Sequence, residues 1–515
     1  YVQLWGYLYY ILKYTASSGR NTRAIGALYL EIGIYLDIKF RAQALSNAFT
    51  YSPTLFEAMW PLYTAGTLEN VLNFAVTIAA AAALGGIFML FKPKNRDIYA
   101  REGFTAVGLS WILMSLIGAL PFVISGDIPS YVDALFETVS GFTTTGSTLL
   151  TDVEAMSRGC MFWRMFTHWI GGMGVLVFIM AVLPMSGEHS MHIMRAEIPG
   201  PVVGKLVPRA RKTAAILYLI YMSMTAVEMI LLLCGGMSFY DALLHAFATA
   251  GTGGFSTRGA GIAAFDSLYI EVVISVFMLL FAVNFNLYFL LLMGRVRDVL
   301  KNQELRCFGV FVAFSMLTVA WNISGQYGGF AEALRYSSFT VASLVSSTGF
   351  GTADFTQWPQ YSQWLLVIIM FVGACAGSTG GGLKLSRVMM LLKAAFSDMR
   401  RVIWPRRVSR LQMEGQRVEQ TVIRAVFSYS TLYMLLLLAG TLLISFDGFD
   451  TTTNFTAALT CLSNMGPGLG LIGPAGNFSI FSDFSKLLMS FLMLAGRLEL
   501  YPILVLFFPS VWKRS

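Results

Sequence analysis

The chain has 515 residues, of which 56% are hydrophobic and only 12% are charged, and its formal net charge is +8. Soluble globular chains carry about 25% charged residues, so the composition excludes an ordinary soluble domain. Several apolar runs reach the roughly 20 residues that a helix needs to cross a bilayer. Because these runs do not alternate between apolar and polar residues as barrel strands do, we predict an all-α polytopic membrane protein.

One pattern occurs four times: a long apolar run, a short apolar segment, a loop rich in Gly and Thr, and a second long run. The first long runs cover residues 103–124, 213–234, 307–324 and 422–446. The short segments cover residues 131–142, 241–250, 336–346 and 452–462. The second long runs cover residues 165–184, 268–293, 363–395 and 484–509. We predict that the short segments are re-entrant helices, since bare backbone at membrane depth must pack in protein or line a watery cavity.

The repetition divides the chain into five parts. Residues 1–100 are expected to hold extra N-terminal helices, one of them at 71–91 and one within the first 65 residues. Four pore units follow, at residues 101–200, 201–300, 301–400 and 401–515. Four such units predict a pseudo-symmetric arrangement around one ion pore, as in a potassium channel, although secondary transporters also contain internal repeats.

The four Gly/Thr loops cover residues 143–148, 251–257, 346–352 and 463–468 and are called loops 1 to 4 below. Rings of backbone carbonyls, assisted by Thr hydroxyls, replace the hydration shell of potassium, and glycine permits the dihedrals that aim successive carbonyls at one axis. No loop contains Asp or Glu, which favours a monovalent, carbonyl-lined site over a carboxylate ring. The alternative is that the small residues merely allow close helix packing.

The predicted potassium-binding filter lies at the centre of these loops. It consists of Thr144, Thr145, Gly146, Thr252, Gly253, Gly254, Ser347, Thr348, Gly349, Asn464, Met465 and Gly466. The short helices before the loops would aim their negative C-terminal ends at the cation. Potassium is then the transported ion, and no catalytic residue or tightly bound cofactor is expected.

Basic residues are concentrated between the units and sparse within them. Residues 384–424 contain ten Lys or Arg, whereas residues 447–485 contain none. Cytoplasmic loops carry the excess of basic residues, so the four Gly/Thr loops are expected to enter from the outer face. The positive net charge therefore reflects membrane topology and does not indicate a nucleic acid partner.

The loop sequences TTTGST, GGFST, STGFGT and NMGPGLG resemble the filter loops of the Trk-type potassium uptake subunits, the TrkH/TrkG family. Four further stretches are similar to that family: HWIGGMG at 168–174, RAEIPGP at 195–201, AGSTGGGLK at 376–384 and GRLE at 496–499. The resemblance implies four helix–pore-helix–helix units and a homodimer with one pore per protomer in a bacterial inner membrane. It also implies that a cytosolic, nucleotide-binding TrkA-type ring docks on the basic 384–424 segment.

Glycines interrupt the third unit's second run, which predicts two half-helices joined by an intramembrane loop. The resemblance implies that this loop lies below the filter and obstructs the pore until it moves. The predicted gate consists of Gly377, Ser378, Thr379, Gly380, Gly381, Gly382, Lys384 and Arg497. A phosphate-binding loop is disfavoured because the adjacent Gly-Lys and the following Ser or Thr are missing, while a simple packing kink stays an alternative.

Charged residues inside apolar runs need a partner or a cavity. Arg497 lies in the last run, and we expect it to contact the 377–382 loop and to place a positive barrier on the cation path. The alternative to this role is that Arg497 forms a structural ion pair with Glu228 or Glu271. Asp133 and Asp241, at the start of two short segments, are expected to act as helix N-caps.

Two other functions stay open at this point. A Ktr-type transporter would need sodium for potassium uptake, and a secondary transporter built on broken helices would carry an organic solute. The NMGPGLG and RAEIPGP stretches favour the Trk type. A membrane enzyme is disfavoured, since no nucleophile–base pair or metal-ligand set lies in the apolar runs.

Overall fold

The computed structural model describes residues 73–83, 85–86, 100–174, 210–404, 412–413 and 416–512. The helix expected within residues 1–65 and the 195–201 motif lie outside the described residues. The first helices in chain order are α1 (Asn73–Ala83), α2 (Ala100–Gly118), α3 (Leu120–Ile124), α4 (Tyr131–Phe142), α5 (Arg158–Gly172), α6 (Ala210–Cys234), α7 (Phe239–Gly251), α8 (Leu268–Phe281), α9 (Phe285–Leu292) and α10 (Val296–Lys301). They are followed by α11 (Gln303–Ile323), α12 (Phe330–Val345), α13 (Gln360–Val372), α14 (Leu385–Ile403), α15 (Gln420–Ile444), α16 (Thr451–Ser463), α17 (Asp483–Arg497), α18 (Tyr501–Leu504) and α19 (Pro509–Trp512).

The only β-structure in the described part of the chain is a two-stranded antiparallel pair between α14 and α15. Strand β1 (Gln412–Met413) pairs with β2 (Gln416–Arg417), and Gln412 lies opposite Arg417. Short 3-10 turns cover Gly261–Phe265, Phe355–Gln357, Ser445–Asp447, Gly470–Ile472, Phe478–Ile480 and Val505–Phe507. The described chain is thus helical apart from one minimal hairpin, in agreement with the predicted all-α class.

Four helical segments are long and apolar enough to span a membrane, counting only the described residues. They are Gly103–Ile124, Ala215–Cys234, Gln303–Ile323 and Gln420–Asp447. Each corresponds to one of the four predicted first runs. Large apolar side chains on these helices stay exposed, such as Leu219, Val227 and Leu442, because their outer faces have no protein to pack against. An apolar outer surface of this kind suits contact with lipid.

Four short helices occupy the centre of the fold: α4, α7, α12 and α16. Most of their side chains are buried, including the consecutive residues of α16 from Thr456 to Ser463. They correspond to the predicted segments 131–142, 241–250, 336–346 and 452–462, and their ends differ from the predicted ends by up to six residues. The largest shift is at α12, which begins at Phe330 after Gly329, a glycine with a positive φ of 127°.

The caps of these helices correct one prediction. Ser130 caps α4 and Ser238 caps α7, each accepting a hydrogen bond from the third helical residue, so Asp133 and Asp241 are not the caps. Both aspartates instead lie in the first turn, where a negative charge favours the helix dipole. In α16 an aspartate does cap the helix: Asp450 accepts from the amide and the hydroxyl of Thr453, and this hydrogen bonding lowers the pKa of its carboxyl.

The second long runs are broken more often than predicted. The expected break in the third unit separates α13 from α14, but run 268–293 also breaks, and α8 meets α9 at an angle of 91°. Run 484–509 breaks after Arg497, where Glu499 and Leu500 have positive φ values of 58° and 65°. The predictions of continuous spans there were wrong: no glycine lies between Phe281 and Phe285, and the single Gly496 before Arg497 did not indicate a break.

Contacts with residues 375–379 satisfy the backbone groups that the break between α8 and α9 exposes. The amide of Phe285 donates to Gly377 O at 3.0 Å, and the amide of Cys375 donates to Ala282 O at 3.1 Å. The hydroxyl of Thr379 also donates to Phe281 O at 3.1 Å. Buried backbone groups must find such partners, so tertiary packing stabilises a break that the local sequence hides.

Buried or half-buried ion pairs join neighbouring units. Lys486 of α17 contacts Asp133 of α4 at 2.6 Å. Arg335 of α12 donates to both carboxylate oxygens of Glu271 in α8, at 2.7 and 2.6 Å. Glu271 therefore has a partner other than Arg497, and the alternative in which Arg497 pairs with Glu271 is wrong.

The Glu271–Arg335 pair offers a test of how the second and third units hold together. We expect Glu271→Gln to lower the free energy of unfolding by about 1 to 3 kcal/mol, because the guanidinium loses a bidentate charged partner. Asp298→Asn is the matched control, since it breaks the exposed pair with Arg295 and should cost under about 1 kcal/mol. Thermal unfolding in one detergent compares the two, and equal losses would contradict the expectation.

Candidate functional site

The four loops share one backbone conformation. The residue two before each central glycine has a positive φ: Thr144 (55°), Thr252 (56°), Ser347 (60°) and Asn464 (54°). The central glycines have positive φ as well: Gly146 (83°), Gly254 (76°), Gly349 (86°) and Gly466 (76°). A non-glycine residue in this region costs about 1–3 kcal/mol and persists only where the surroundings impose it. The same strain at four matched positions indicates a shared constraint.

Each central glycine contacts the next loop, and the four contacts together form a closed ring. A side-chain carbon on Gly146 would collide with Gly253 O, and a side-chain carbon on Gly254 would collide with Thr348 O. A side-chain carbon on Gly349 would lie 2.8 Å from Met465 O, and one on Gly466 would lie 2.9 Å from Thr145 O. Each glycine thus lies against the carbonyl that precedes the central glycine of the next loop, and loop 4 returns to loop 1. All twelve predicted filter residues fall at this ring or directly beside it.

Side chains strengthen the contact between loop 4 and loop 1. The amide of Asn464 donates to Thr145 Oγ1 at 3.0 Å and to Met493 O at 2.8 Å. The hydroxyl of Ser147 donates to Gly466 O at 3.2 Å. Loop hydroxyls elsewhere have protein partners too: Thr348 Oγ1 lies 2.7 Å from Ser346 Oγ. The hydroxyl groups of Thr145 and Thr348 therefore help to fix the loops.

A cavity of about 420 Å³ lies in front of the ring. All four central glycines line it, together with residues that follow the loops, such as Phe255, Phe350 and Asp354. The four central glycines are therefore accessible from this cavity.

The 377–382 loop lies against the ends of two short helices. The amide of Gly381 donates to Ser347 Oγ at 2.5 Å, and the amide of Gly382 donates to Ser463 O at 2.8 Å. A side-chain carbon on Gly380 would lie 2.6 Å from Ser346 O. The 377–382 loop is thus in direct contact with the first residues of loops 3 and 4, and larger side chains would not fit there.

The flanks of this loop are tied to the third unit. The amide of Ala376 donates to Glu304 Oε1 at 2.8 Å, and Ser378 Oγ donates to Cys375 O at 2.6 Å. Lys384 is buried with a φ of 76°, and its ammonium donates to Gly380 O. Lys384 therefore closes the loop on itself at the start of α14.

Arg497 reaches the loop from the end of α17, as expected from the sequence. Its Nη1 donates to Thr379 O at 2.7 Å, and its Nη2 donates to the carbonyls of Gly171 and Gly172 at the end of α5, the latter at 2.8 Å. The guanidinium thus joins the first unit, the fourth unit and the loop. Its neighbour Glu499 faces Arg387, which also stacks on Tyr429 at 3.8 Å.

Sequence reasoning missed a polar cluster behind loops 1 and 2. Glu137 of α4 and Arg164 of α5 form a buried ion pair of 2.6 Å. His168, fully buried, lies 2.7 Å from Gly141 O through Nδ1. The spacing of Arg164 and His168 places both side chains on one face of α5, but their partners on α4 depend on how the two helices pack.

Several known proteins are similar to this chain in sequence. The family model for TrkH, described as a cation transport protein, matches residues 69–514. The Trk system potassium uptake protein TrkH of Escherichia coli is 36% identical over 450 residues, which make up 85% of this chain and 92% of that protein. The Trk system potassium uptake protein TrkG of Escherichia coli is 33% identical over 453 residues, or 86% of this chain and 92% of that protein.

A solved structure is similar to this chain in fold as well as in sequence. The potassium transporter TrkH from Vibrio parahaemolyticus aligns with a TM-score of 0.79 and 30% sequence identity. The alignment covers 96% of this chain and 100% of that chain. The family match over residues 69–514 includes every helix and loop described above.

Proposed function

Because this chain belongs to the TrkH family of cation transport proteins, we propose that it takes up potassium by gated, channel-like permeation. The relatives from Escherichia coli that carry the name potassium uptake protein support potassium as the transported ion. The observation that carries the proposal is the closed order of the four loops, in which each central glycine lies against a carbonyl of the next loop.

The chemistry of the ring suits a dehydrated monovalent cation. Backbone carbonyls replace hydration oxygens without a full negative charge, so a potassium ion can bind and leave again. The four short helices end at the loops, and their C-terminal dipole ends favour a cation there. We therefore propose four units around one pore, in the divisions 101–200, 201–300, 301–400 and 401–515, with the twelve loop residues as the filter.

The basic residues between the units support an orientation in which the mouth of the filter faces outward from a bacterial inner membrane. The 377–382 loop would obstruct the pore from the cytoplasmic side. Its contacts with the first residues of loops 3 and 4 support this position. Arg497, hydrogen-bonded to Thr379 O, would add a positive charge to the obstruction.

Partners follow from the same proposal. A cytosolic TrkA-type nucleotide-binding ring would dock on the basic stretch at 384–424, and α14 would transmit its movement to the loop, because α14 begins directly after Lys384. Two copies of the chain would form a homodimer surrounded by lipid, with one pore each. Since the relatives are named as uptake proteins, we propose no enzymatic activity and no cofactor beyond the transported ion.

Rubidium flux into liposomes that contain the purified chain tests the function. We expect uptake without added sodium, competition by external potassium, and a slower flux of sodium itself. Uptake that requires sodium would contradict the Trk type in favour of the Ktr type. No rubidium flux, together with flux of an organic solute, would contradict the pore in favour of a secondary transporter.

A further inference from the structure

Behind loops 1 and 2, three buried side chains form a unit that we call the brace: Glu137, Arg164 and His168. Glu137 and Gly141 lie one turn apart on α4, and Arg164 and His168 lie one turn apart on α5. The Arg164 side chain donates to Glu137 at 2.6 Å, and His168 Nδ1 lies 2.7 Å from Gly141 O. The two contacts are therefore parallel rungs between the same two helices.

The contact between Glu137 and Arg164, the upper rung, also reaches the ends of both loops. Glu137 accepts hydrogen bonds from Thr148 Oγ1 at 2.9 Å, at the end of loop 1, and from the following Leu149 amide at 3.0 Å. The Arg164 guanidinium lies 3.4 Å from the centre of the Phe255 ring, and its Nη1 donates to Ser256 O at 3.3 Å, in loop 2. One ion pair thus connects the exits of two neighbouring loops.

The contact between His168 and Gly141, the lower rung, fixes the orientation of the His168 imidazole against loop 2. Gly141 O can only accept, so His168 Nδ1 carries the proton, and the Phe255 amide donates to His168 Nε2 at 3.4 Å. Both ring nitrogens therefore have defined roles in the neutral tautomer. The ring stacks on Phe255 at 4.1 Å, and a side-chain carbon on Gly253 would overlap it.

We propose that Glu137, Arg164 and His168 are positioning residues that set the spacing of loops 1 and 2, and so the preference of the ring for potassium over sodium. The inference rests on the proposed function. Gly253 O is one of the ring carbonyls, and His168 packs directly behind Gly253, so a shift of the imidazole moves a carbonyl that faces the ion. Discrimination between two ions depends on such carbonyl positions.

Two amide substitutions test the hydrogen bonds of the two imidazole nitrogens separately. The amide nitrogen of His168→Asn can take the place of Nδ1 and keep the bond to Gly141 O, but it does not reach the Phe255 amide. The amide oxygen of His168→Gln can take the place of Nε2 and accept from Phe255. We expect His168→Asn to raise the ratio of sodium flux to rubidium flux roughly threefold to tenfold, the effect of one lost buried hydrogen bond.

His168→Gln should lie closer to the wild-type ratio than His168→Asn. Ser362→Ala is the matched control, because it removes a partly buried hydrogen bond of 2.7 Å to Asn322 away from the loops, and its ratio should stay within about twofold of wild type. A wild-type ratio in both histidine variants, or a larger shift in His168→Gln, would overturn the inference. If His168→Asn does not fold, Arg164→Lys decides instead, because it keeps the charge opposite Glu137 but loses the contacts with loop 2, and an unchanged ratio overturns the inference.

Failure of the inference differs from failure of the proposed function. If the wild-type chain carries rubidium with a preference over sodium while the variants keep that preference, only the role of the brace is wrong. If the wild-type chain shows no such preference, the proposed filter is wrong and the brace has no selectivity to set.

Discussion

Serine in place of Gly146 is expected to reduce rubidium uptake into liposomes by at least about tenfold, since two energetic costs of roughly 1–3 kcal/mol each fall on the ring. The φ of 83° at Gly146 strains any residue with a side-chain carbon, and that carbon would collide with Gly253 O. Loop 1 or loop 2 must then move, and the carbonyl positions move with it. Initial rates of rubidium uptake at equal protein content measure the loss.

Gly126→Ser is the matched control for this variant. Gly126 also has a positive φ, 78°, but no atom lies within 4 Å of the position that a side-chain carbon would take. It therefore carries the backbone strain without the collision in the ring. We expect rubidium uptake by Gly126→Ser to stay within about threefold of wild type, after correction for folded protein. Equal uptake and equal ion preference in Gly146→Ser and wild type would refute the filter.

Removal of the Arg497 side chain is expected to have the opposite effect. On the proposed function, Arg497→Ala should raise the basal rubidium flux at least about tenfold, because charged hydrogen bonds of roughly 1.5–3 kcal/mol each no longer hold the 377–382 loop. The bonds to Thr379 O and to Gly171 and Gly172 are lost together. A positive charge near the cation path is lost as well, which lowers the electrostatic barrier.

Arg497→Lys separates these two contributions. Lysine keeps the positive charge, but its single ammonium cannot reproduce the planar fork that joins Thr379 to α5. A flux near the wild-type value in Arg497→Lys indicates a charge barrier, and a flux near that of Arg497→Ala indicates a mechanical tether. Unchanged flux in both variants would contradict any role of Arg497 in the gate.

The short central helices could be predicted from the sequence because their signals are local. An apolar segment too short to span, preceded by Ser130, Ser238 or Asp450, marks the start of α4, α7 and α16 within about two residues. No serine or aspartate precedes α12, and its predicted start lies six residues too late. The loops were equally clear, since glycine stands where φ is positive at 146, 254, 349 and 466. The positive φ at Thr144, Thr252, Ser347 and Asn464 could not be read, because non-glycine residues give no such signal.

The remaining features depend on tertiary contacts. The break after Phe281 leaves backbone groups that Gly377 and Cys375 satisfy from another unit, so nothing within run 268–293 marks it apart from Asn284. The brace was missed for the same reason: Glu137 and Arg164 are 27 positions apart, and their pairing depends on how α4 packs on α5. The contact of Arg497 with the loop was predictable because a buried guanidinium in an apolar run must find carbonyls or a carboxylate.

The contact between loops 4 and 1 has a consequence for how the protein is made. Asn464 and Thr145 touch across 319 positions of sequence, and the chain leaves the ribosome from its amino end. Three loops are therefore already inserted while Thr145 still lacks its neighbour. A nascent chain released before residue 451 would expose loop 1 and loop 3 without the helix that separates them, so early termination should produce an unassembled chain for proteolysis rather than a smaller pore.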